Sequence, residues 1–139
     1  MNFELRAYPN GARGTRKTLV ASAQVDFGTA VYFASDGNVE ETSAITDIPI
    51  GVALNDDMYE SENEDTYYAS GNPVTVALRG SGEVLRLVNV SGVSAGDQVA
   101  ATAAGSVIKH ASNGTNDYQI FGIALEDASN GERGETLVL

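Results

Sequence analysis

Ile50-Gly51-Val52-Ala53-Leu54-Asn55-Asp56 recurs further along the chain as Phe121-Gly122-Ile123-Ala124-Leu125-Glu126-Asp127. Both heptapeptides follow the pattern apolar, Gly, β-branched, Ala, Leu, polar, Asp. A second pattern recurs at nearly the same separation, in which Val31, Gly37 and Val39 return as Val99, Gly105 and Val107. Similar separations in two independent patterns predict two copies of one structural unit, in about residues 18–80 and 81–139. A duplicated small β unit is typical of a scaffold or a binding surface.

Short segments rich in apolar and β-branched residues alternate with turn signals along the chain, and no stretch of ten residues has a helical period. In Pro73–Arg79, for example, Val74, Val76 and Leu78 alternate with the residues of the other face. The sequence predicts an all-β domain, a compact β-barrel or sandwich of about ten short strands built from two half-repeats. One closed barrel and two small lobes both remain possible at this stage. The main predicted strands are Thr18–Val25, Ala30–Ala34, Ile48–Leu54, Pro73–Arg79, Glu83–Val90, Gln98–Thr102, Ser106–His110, Tyr118–Leu125 and Glu135–Leu139.

The charge of the chain is unevenly distributed. The 139 residues carry 8 cations and 19 acids, a formal net charge of −11, yet half of the cations fall between positions 1 and 17. Those cations are Arg6, Arg13, Arg16 and Lys17. We therefore predict a basic, extended N-terminal arm over residues 1–17 and a single acidic β domain over 18–139. A basic arm on an acidic body suggests docking on an acidic surface, although a plain solvated tail would have the same composition.

Residues 55–70 form an acidic loop in the first copy, about twice as long as the equivalent segment of the second. Elaborated loops on rigid scaffolds often carry recognition, whereas a solvated loop is the simpler alternative. Its tyrosines are expected either to anchor an interface or to fix the loop to the domain. Its carboxylates offer oxygen ligands for Ca²⁺, without the twelve-residue pattern of a helix-loop-helix calcium site. The candidate recognition residues are Asp56, Asp57, Tyr59, Glu60, Glu62, Glu64, Asp65, Tyr67 and Tyr68.

The residue types needed for most catalytic and metal sites are scarce. The chain has no Cys, and its one histidine, His110, is expected at an exposed strand end. No nucleophile motif accompanies that histidine, and a zinc site needs several His or Cys ligands. We therefore predict no enzymatic activity, no cofactor and no metal site.

Charge and hydropathy limit the possible partners. A strongly acidic body is poorly suited to nucleic acid, because contacts to phosphate need cations. No apolar segment approaches the length that crosses a membrane, and no signal peptide is evident, so synthesis in the cytosol is expected.

Residues 50–139 resemble a family of small tailed-phage proteins that decorate or cement capsids. The order and spacing of several short motifs carry the resemblance, rather than any single motif. The motifs are Gly51–Leu54, Pro73–Leu78 with Gly80, Val93–Val99 with Gly105-Ser106-Val107, Gly122–Ser129, Gly131-Glu132 and Leu137–Leu139.

This resemblance implies a virion structural protein without catalysis. It implies a compact β-barrel-like domain, usually a homotrimer, that binds the major capsid protein on the outer capsid and stabilises the head. The basic arm and the acidic loop depart from the short family pattern, and we expect the arm to contribute capsid-docking residues. The alternative is a fibre or adhesin-type module that uses the 55–70 loop to bind a host receptor or calcium.

Overall fold

The first half of the chain folds into a five-stranded antiparallel sheet with the order β1-β7-β5-β3-β4. The computed structural model describes residues 16–55 and 66–139. A separate two-stranded sheet, β2-β6, lies beside it. The strands are β1 (Arg16–Val20), β2 (Val25–Asp26), β3 (Ala30–Phe33), β4 (Val39–Glu41), β5 (Gly51–Ala53), β6 (Tyr67–Tyr68) and β7 (Pro73–Leu78).

The second half forms a five-stranded sheet with the order β10-β9-β11-β12-β8. Two short 3₁₀ turns, Ala103–Gly105 and Asp117–Gln119, lie in its connections. The strands are β8 (Val84–Val88), β9 (Gln98–Ala101), β10 (Val107–Lys109), β11 (Ile120–Ala124) and β12 (Arg133–Val138).

The two sheets have the same topology, which confirms the predicted duplication. Strands β1, β3, β4, β5 and β7 correspond in order to β8, β9, β10, β11 and β12. The register agrees as well: Gly51 lies opposite Leu78, and Gly122 lies opposite Val138. Even the isolated parallel bridge from Ala21 to Val39 has its counterpart, which joins Asn89 to Val107.

The repeated glycine is required because a neighbouring strand passes close to it. A Cβ on Gly51 would lie 2.1 Å from the carbonyl oxygen of Ala77, and one on Gly122 would lie 2.6 Å from that of Leu137. The alanines that follow by two positions, Ala53 and Ala124, are buried in the core. The repeated heptapeptide therefore contains the central strand of each sheet.

The core has two parts, and one of them joins the halves. The first cluster adds Ala30 and Val52 of the first half to nine buried residues of the second. The second cluster lies within the first half and includes Val31, Ala53 and Val76. Because consecutive residues of β5 enter different clusters, this strand is buried on both faces, which accounts for its unbroken apolar sequence.

The fold class is the predicted one, with differences of detail. The described residues form a sandwich-like pair of sheets rather than a closed barrel, because each five-stranded sheet keeps two edges. The predicted strand Thr18–Val25 is wrong as one element, since it divides into β1 and β2. Strands β4 and β6 were not predicted; both are short, and β4 pairs with the preceding strand β3, whereas β6 pairs with the distant β2.

Candidate functional site

The cations assigned to the arm are divided by the start of the first strand. Arg6 and Arg13 lie outside the described residues, whereas Arg16 and Lys17 are the first two residues of β1 and pair with Ala77 and Val76 of β7. The sheet therefore begins two residues before the predicted domain boundary, and Arg16 and Lys17 are strand residues rather than part of an extended arm. β1 is an edge strand of its sheet.

Arg16 and Lys17 differ in their surroundings. Nη2 of Arg16 lies 2.8 Å from Oε1 of Glu83, in the connection between the halves. Glu83 is only 15% exposed, so this ion pair helps to fix β1 against the start of β8. Lys17 is exposed on the same strand. Of these two cations, Lys17 is the better placed to contact a partner surface.

The acidic loop lies mostly outside the described residues, including Asp56, Asp57, Tyr59, Glu60, Glu62, Glu64 and Asp65. Its end is described, because Tyr67 and Tyr68 form β6 and pair with β2. Tyr67 is 39% exposed, whereas Tyr68 is 8% exposed. The alternation of strand β6 thus places one tyrosine on the surface and the other in the core.

Tyr68 is part of the domain core, which corrects its assignment to a recognition surface. Its ring packs edge-on against Phe27, with the ring centroids 5.0 Å apart. Its hydroxyl donates a hydrogen bond to the carbonyl of Leu54, at the other end of the loop. Tyr68 therefore joins the two ends of the loop, and Tyr67 is the loop tyrosine that the described surface presents.

A cleft of about 460 Å³ lies beside the ends of the acidic loop, at the junction of the two halves. Asn55 and Thr66 line it from the first half, and Leu85, Arg86 and Arg133 line it from the second. Sequence reasoning missed these two arginines, because nothing in their local sequence distinguishes them from solvated surface cations.

Arg133 connects the halves through backbone carbonyls. Its Nη1 donates to the carbonyl of Arg86 at 2.9 Å, and its Nη2 donates to that of Phe27 at 3.2 Å. Arg86 is 60% exposed and lies 3.4 Å from a carboxylate oxygen of Glu126. The planar guanidinium of Arg133 suits this task, since it donates in several directions at once. The cleft is therefore lined by an arginine with a structural role.

His110 is buried, so the expectation of an exposed histidine is wrong. Its side chain is fully covered, and its Nε2 lies 3.8 Å from Oδ1 of Asp117. The hydroxyl of Ser112 donates to that same Asp117 oxygen at 2.6 Å, rather than to the histidine. Among the described residues, neither ring nitrogen of His110 has a hydrogen-bond partner. The histidine is therefore not placed to accept the Ser112 hydroxyl proton, as the base of a Ser-His-Asp triad does.

Two acidic groups of the first half have shifted pKa values. Burial raises the pKa of Glu41, although the carboxylate accepts a hydrogen bond from the Asp26 amide at 2.8 Å. Burial alone would raise the pKa of Asp47 as well, but hydrogen bonds from Ser43 and Ala44 bring it below its ordinary value. Burial and nearby hydrogen bonds therefore account for the pKa shifts of Glu41 and Asp47.

No three potential metal ligands come together within residues 16–55 and 66–139. Over the same residues, no helix has the length and hydropathy to cross a membrane.

Comparison with known proteins identifies a family and a related fold. The family of structural cement proteins represented by E217 gp24 and Pam3 gp6 matches residues 6–137. No curated protein matches the chain. The crystal structure of the N base of head fibre gp8.5 from bacteriophage phi29 is similar in fold, with a TM-score of 0.65 and 16% sequence identity. That match covers 90% of this chain and 93% of the phi29 chain.

The family match spans nearly the whole chain, including both half-repeats and part of the basic arm. The chain therefore belongs to the phage family of structural cement proteins and is a structural protein of the virion.

Proposed function

We propose that this protein binds the outer surface of the capsid as a homotrimer and stabilises the head by bridging copies of the major capsid protein. The observation that carries the proposal is the match to structural cement proteins over residues 6–137. A rigid sandwich with both halves joined by a common core suits a protein that must resist deformation of the shell. A trimer that contacts several capsid subunits would also gain avidity, because each further contact is intramolecular.

The basic arm and the start of β1 supply the docking residues in this proposal. Arg6, Arg13, Arg16 and Lys17 form a cationic segment on a body that is otherwise acidic. The arm enters the domain through β1, and an edge strand can accept a further strand from a partner. Because Arg16 is already paired with Glu83, we assign the larger contributions to Arg6, Arg13 and Lys17.

Removal of residues 1–15 tests the arm. This truncation keeps β1 intact, whereas a cut after Lys17 would remove part of a strand. We expect lower occupancy on purified capsids, measured by gel densitometry of sedimented particles, with an unchanged melting temperature. A full-length variant carrying Arg6→Gln and Arg13→Gln separates the effect of charge from that of chain length. Unchanged occupancy in both variants would refute the arm as a docking element.

The alternative function, recognition by the 55–70 loop, makes a different prediction. Tyr67 is the described residue that favours it, because this aromatic side chain is exposed at the end of the loop. Titration calorimetry with Ca²⁺ would give a stoichiometric heat if the loop carboxylates bind the ion. That heat should disappear when residues 56–65 are replaced by a Gly-Ser linker of equal length. If capsid occupancy is unaffected by that replacement while the calcium heat is lost, the loop has a separate binding role.

A further inference from the structure

Two Asn-Gly steps lie in exposed turns of the part of the chain that the structure describes, Asn113-Gly114 and Asn130-Gly131. A third, Asn10-Gly11, lies outside the described residues. An asparagine can react with its own backbone, when the nitrogen of the next residue attacks the side-chain carbonyl carbon. Glycine in that next position favours the attack, because it has no side chain to keep the two groups apart. The reaction then depends on how the fold holds the glycine nitrogen and the asparagine carbonyl.

The nitrogen of Gly131 is held by a hydrogen bond that opposes this reaction. The Gly131 amide donates to the carbonyl of Asn89 at 2.6 Å, and Asn89 is only 1% exposed. A further hydrogen bond, from the Glu132 amide to the Ser129 carbonyl at 3.0 Å, closes the same turn. The nitrogen of Gly131 can attack only after its hydrogen bond breaks, so the fold protects Asn130.

The nitrogen of Gly114 has no such restraint. Among the described residues, no group accepts a hydrogen bond from the Gly114 amide. No described atom beyond its chain neighbours lies within 4 Å of its Cβ position, so the turn is also uncrowded. Residues 111–119 contribute to neither of the two core clusters. The Gly114 nitrogen can therefore approach the carbonyl of Asn113 without unfolding of the domain.

Thr115 provides hydrogen-bond donors at the atom where charge develops. Its amide donates to the side-chain oxygen of Asn113 at 3.0 Å, and its hydroxyl donates to the same oxygen at 2.8 Å. Negative charge collects on that oxygen when the carbonyl carbon is attacked. Donors already aimed at a developing oxyanion lower the barrier to its formation. Thr115 therefore assists an attack that the free nitrogen of Gly114 makes possible.

We propose that Asn113 is a site of spontaneous deamidation in the folded protein. The Gly114 nitrogen loses its proton to solvent and bonds to Cγ of Asn113, the bond from Cγ to Nδ2 breaks, and ammonia leaves with a proton from solvent. Water then opens the resulting succinimide ring at either carbonyl, which gives aspartate or isoaspartate. The product is one charge more negative than the −11 of the intact chain. The new carboxylate lies in the loop that presents Tyr118, which is 53% exposed.

Peptide mapping by mass spectrometry tests the proposal on the purified full-length protein, with no need for a capsid. After incubation at mildly alkaline pH, the peptide with Asn113 should convert to its aspartate and isoaspartate forms. The peptide with Asn130 should stay unchanged in the same sample. In urea, where neither turn is held, the two peptides should convert at similar rates. Equal conversion of the two peptides in the folded protein, or none at Asn113, would overturn the proposal.

Two substitutions of Thr115 test the role of its hydroxyl. Thr115→Val keeps the amide donor and removes the hydroxyl, so we expect conversion of Asn113 to slow about two- to tenfold, as for the loss of one hydrogen bond. Thr115→Ser keeps a hydroxyl and should convert at the rate of the wild type. A rate for Thr115→Val equal to or above that of the wild type would show that the hydroxyl only restrains the loop.

The turn at Asp36-Gly37 offers a matched control. A side-chain oxygen of Asp36 accepts a hydrogen bond from the Asn38 amide at 2.9 Å, in the same way that Asn113 accepts one two residues ahead. Gly37 is exposed and has a φ of 83°, but its amide donates to the carbonyl of Ala34 at 3.0 Å. Asp36→Asn therefore introduces an Asn-Gly step whose nitrogen is held. Conversion there as fast as at Asn113 would contradict control by the glycine nitrogen.

Discussion

Gly51 and Gly122 occupy the same position in the two sheets, and at both positions the neighbouring strand leaves no space for a side chain. The carbonyl of Ala77 lies 2.1 Å from the Cβ position of Gly51, and that of Leu137 lies 2.6 Å from the Cβ position of Gly122. Neither glycine has a positive φ angle. The requirement for glycine is therefore steric, and it arises from strands that lie elsewhere in the sequence.

Alanine at either position is expected to destabilise the fold. An added methyl group must displace the backbone of a central strand, which costs about 1–3 kcal/mol in the free energy of unfolding. We expect the larger loss for Gly51→Ala, because the approach there is closer. Urea denaturation of both variants measures the difference.

Gly71→Ala is the control for the glycine substitutions. Gly71 has a φ of 88°, and no described atom beyond its chain neighbours lies within 4 Å of its Cβ position, so this variant reports backbone strain alone. That strain costs about 1–2 kcal/mol. An unchanged stability of Gly51→Ala would contradict the steric explanation.

Arg133→Ala should loosen the junction between the halves. The variant removes two exposed hydrogen bonds to the carbonyls of Phe27 and Arg86, so we expect a loss of about 0.5–1.5 kcal/mol in the free energy of unfolding. Arg133→Lys should recover little of the loss, because an ammonium cannot reach both carbonyls with the geometry of a planar guanidinium. Thermal and urea unfolding provide the measurement.

Arg86→Ala is the comparison for Arg133, since its exposed ion pair with Glu126 and its hydrogen bond to the Arg133 carbonyl, both 3.4 Å long, lie within the second half. A surface ion pair contributes about 0–1 kcal/mol. Equal losses for Arg86→Ala and Arg133→Ala would show that the carbonyl contacts of Arg133 have no special role.

Tyr68→Phe tests the attachment of the acidic loop. The variant keeps the ring contact with Phe27 and removes the hydrogen bond to the Leu54 carbonyl, so we expect a loss of about 1 kcal/mol. Hydrogen exchange of amides near Leu54 should also become faster. Tyr67→Phe, on the exposed side of the same strand, should change neither quantity.

Asp47 should make the stability of the first half depend on pH in the acidic range. Hydrogen bonds to its carboxylate lower its pKa from the ordinary value of 3.8, so the folded state favours the ionised form. The resulting stabilisation is present above the unfolded pKa and is lost as the pH falls through the folded pKa. The stability difference between the wild type and Asp47→Asn should therefore be largest near neutral pH and shrink below about pH 4.

Glu41 should make the stability depend on pH in the opposite direction. Its pKa is raised above 4.5, chiefly by burial, so the folded state disfavours the ionised form. Relative to Glu41→Gln, the wild type should gain stability as the pH falls through the folded pKa towards the unfolded value. Parallel pH series of urea unfolding for the two pairs measure both trends, and trends in the same direction would contradict one of the two assignments.

The sequence by itself determined the repeat, the fold class and the family. The repeated heptapeptide around Gly51 and Gly122 predicts the central strands. The alternation of Val74 and Val76 predicts a buried face of β7. These features depend on the spacing of nearby residues and on the two-residue period of a strand, and both can be read from a single sequence.

Only the tertiary structure decided which equivalent residues have equivalent surroundings. Gly37 and Gly105 lie at the same point of the repeat. Gly37 is exposed, whereas Gly105 is buried against Thr29 of the other half. Tyr67 and Tyr68 are neighbours in sequence, but one lies on the surface and the other in the core. Burial of this kind depends on contacts between segments far apart in sequence, because the packing of one half on the other breaks the symmetry that the repeated sequence suggests.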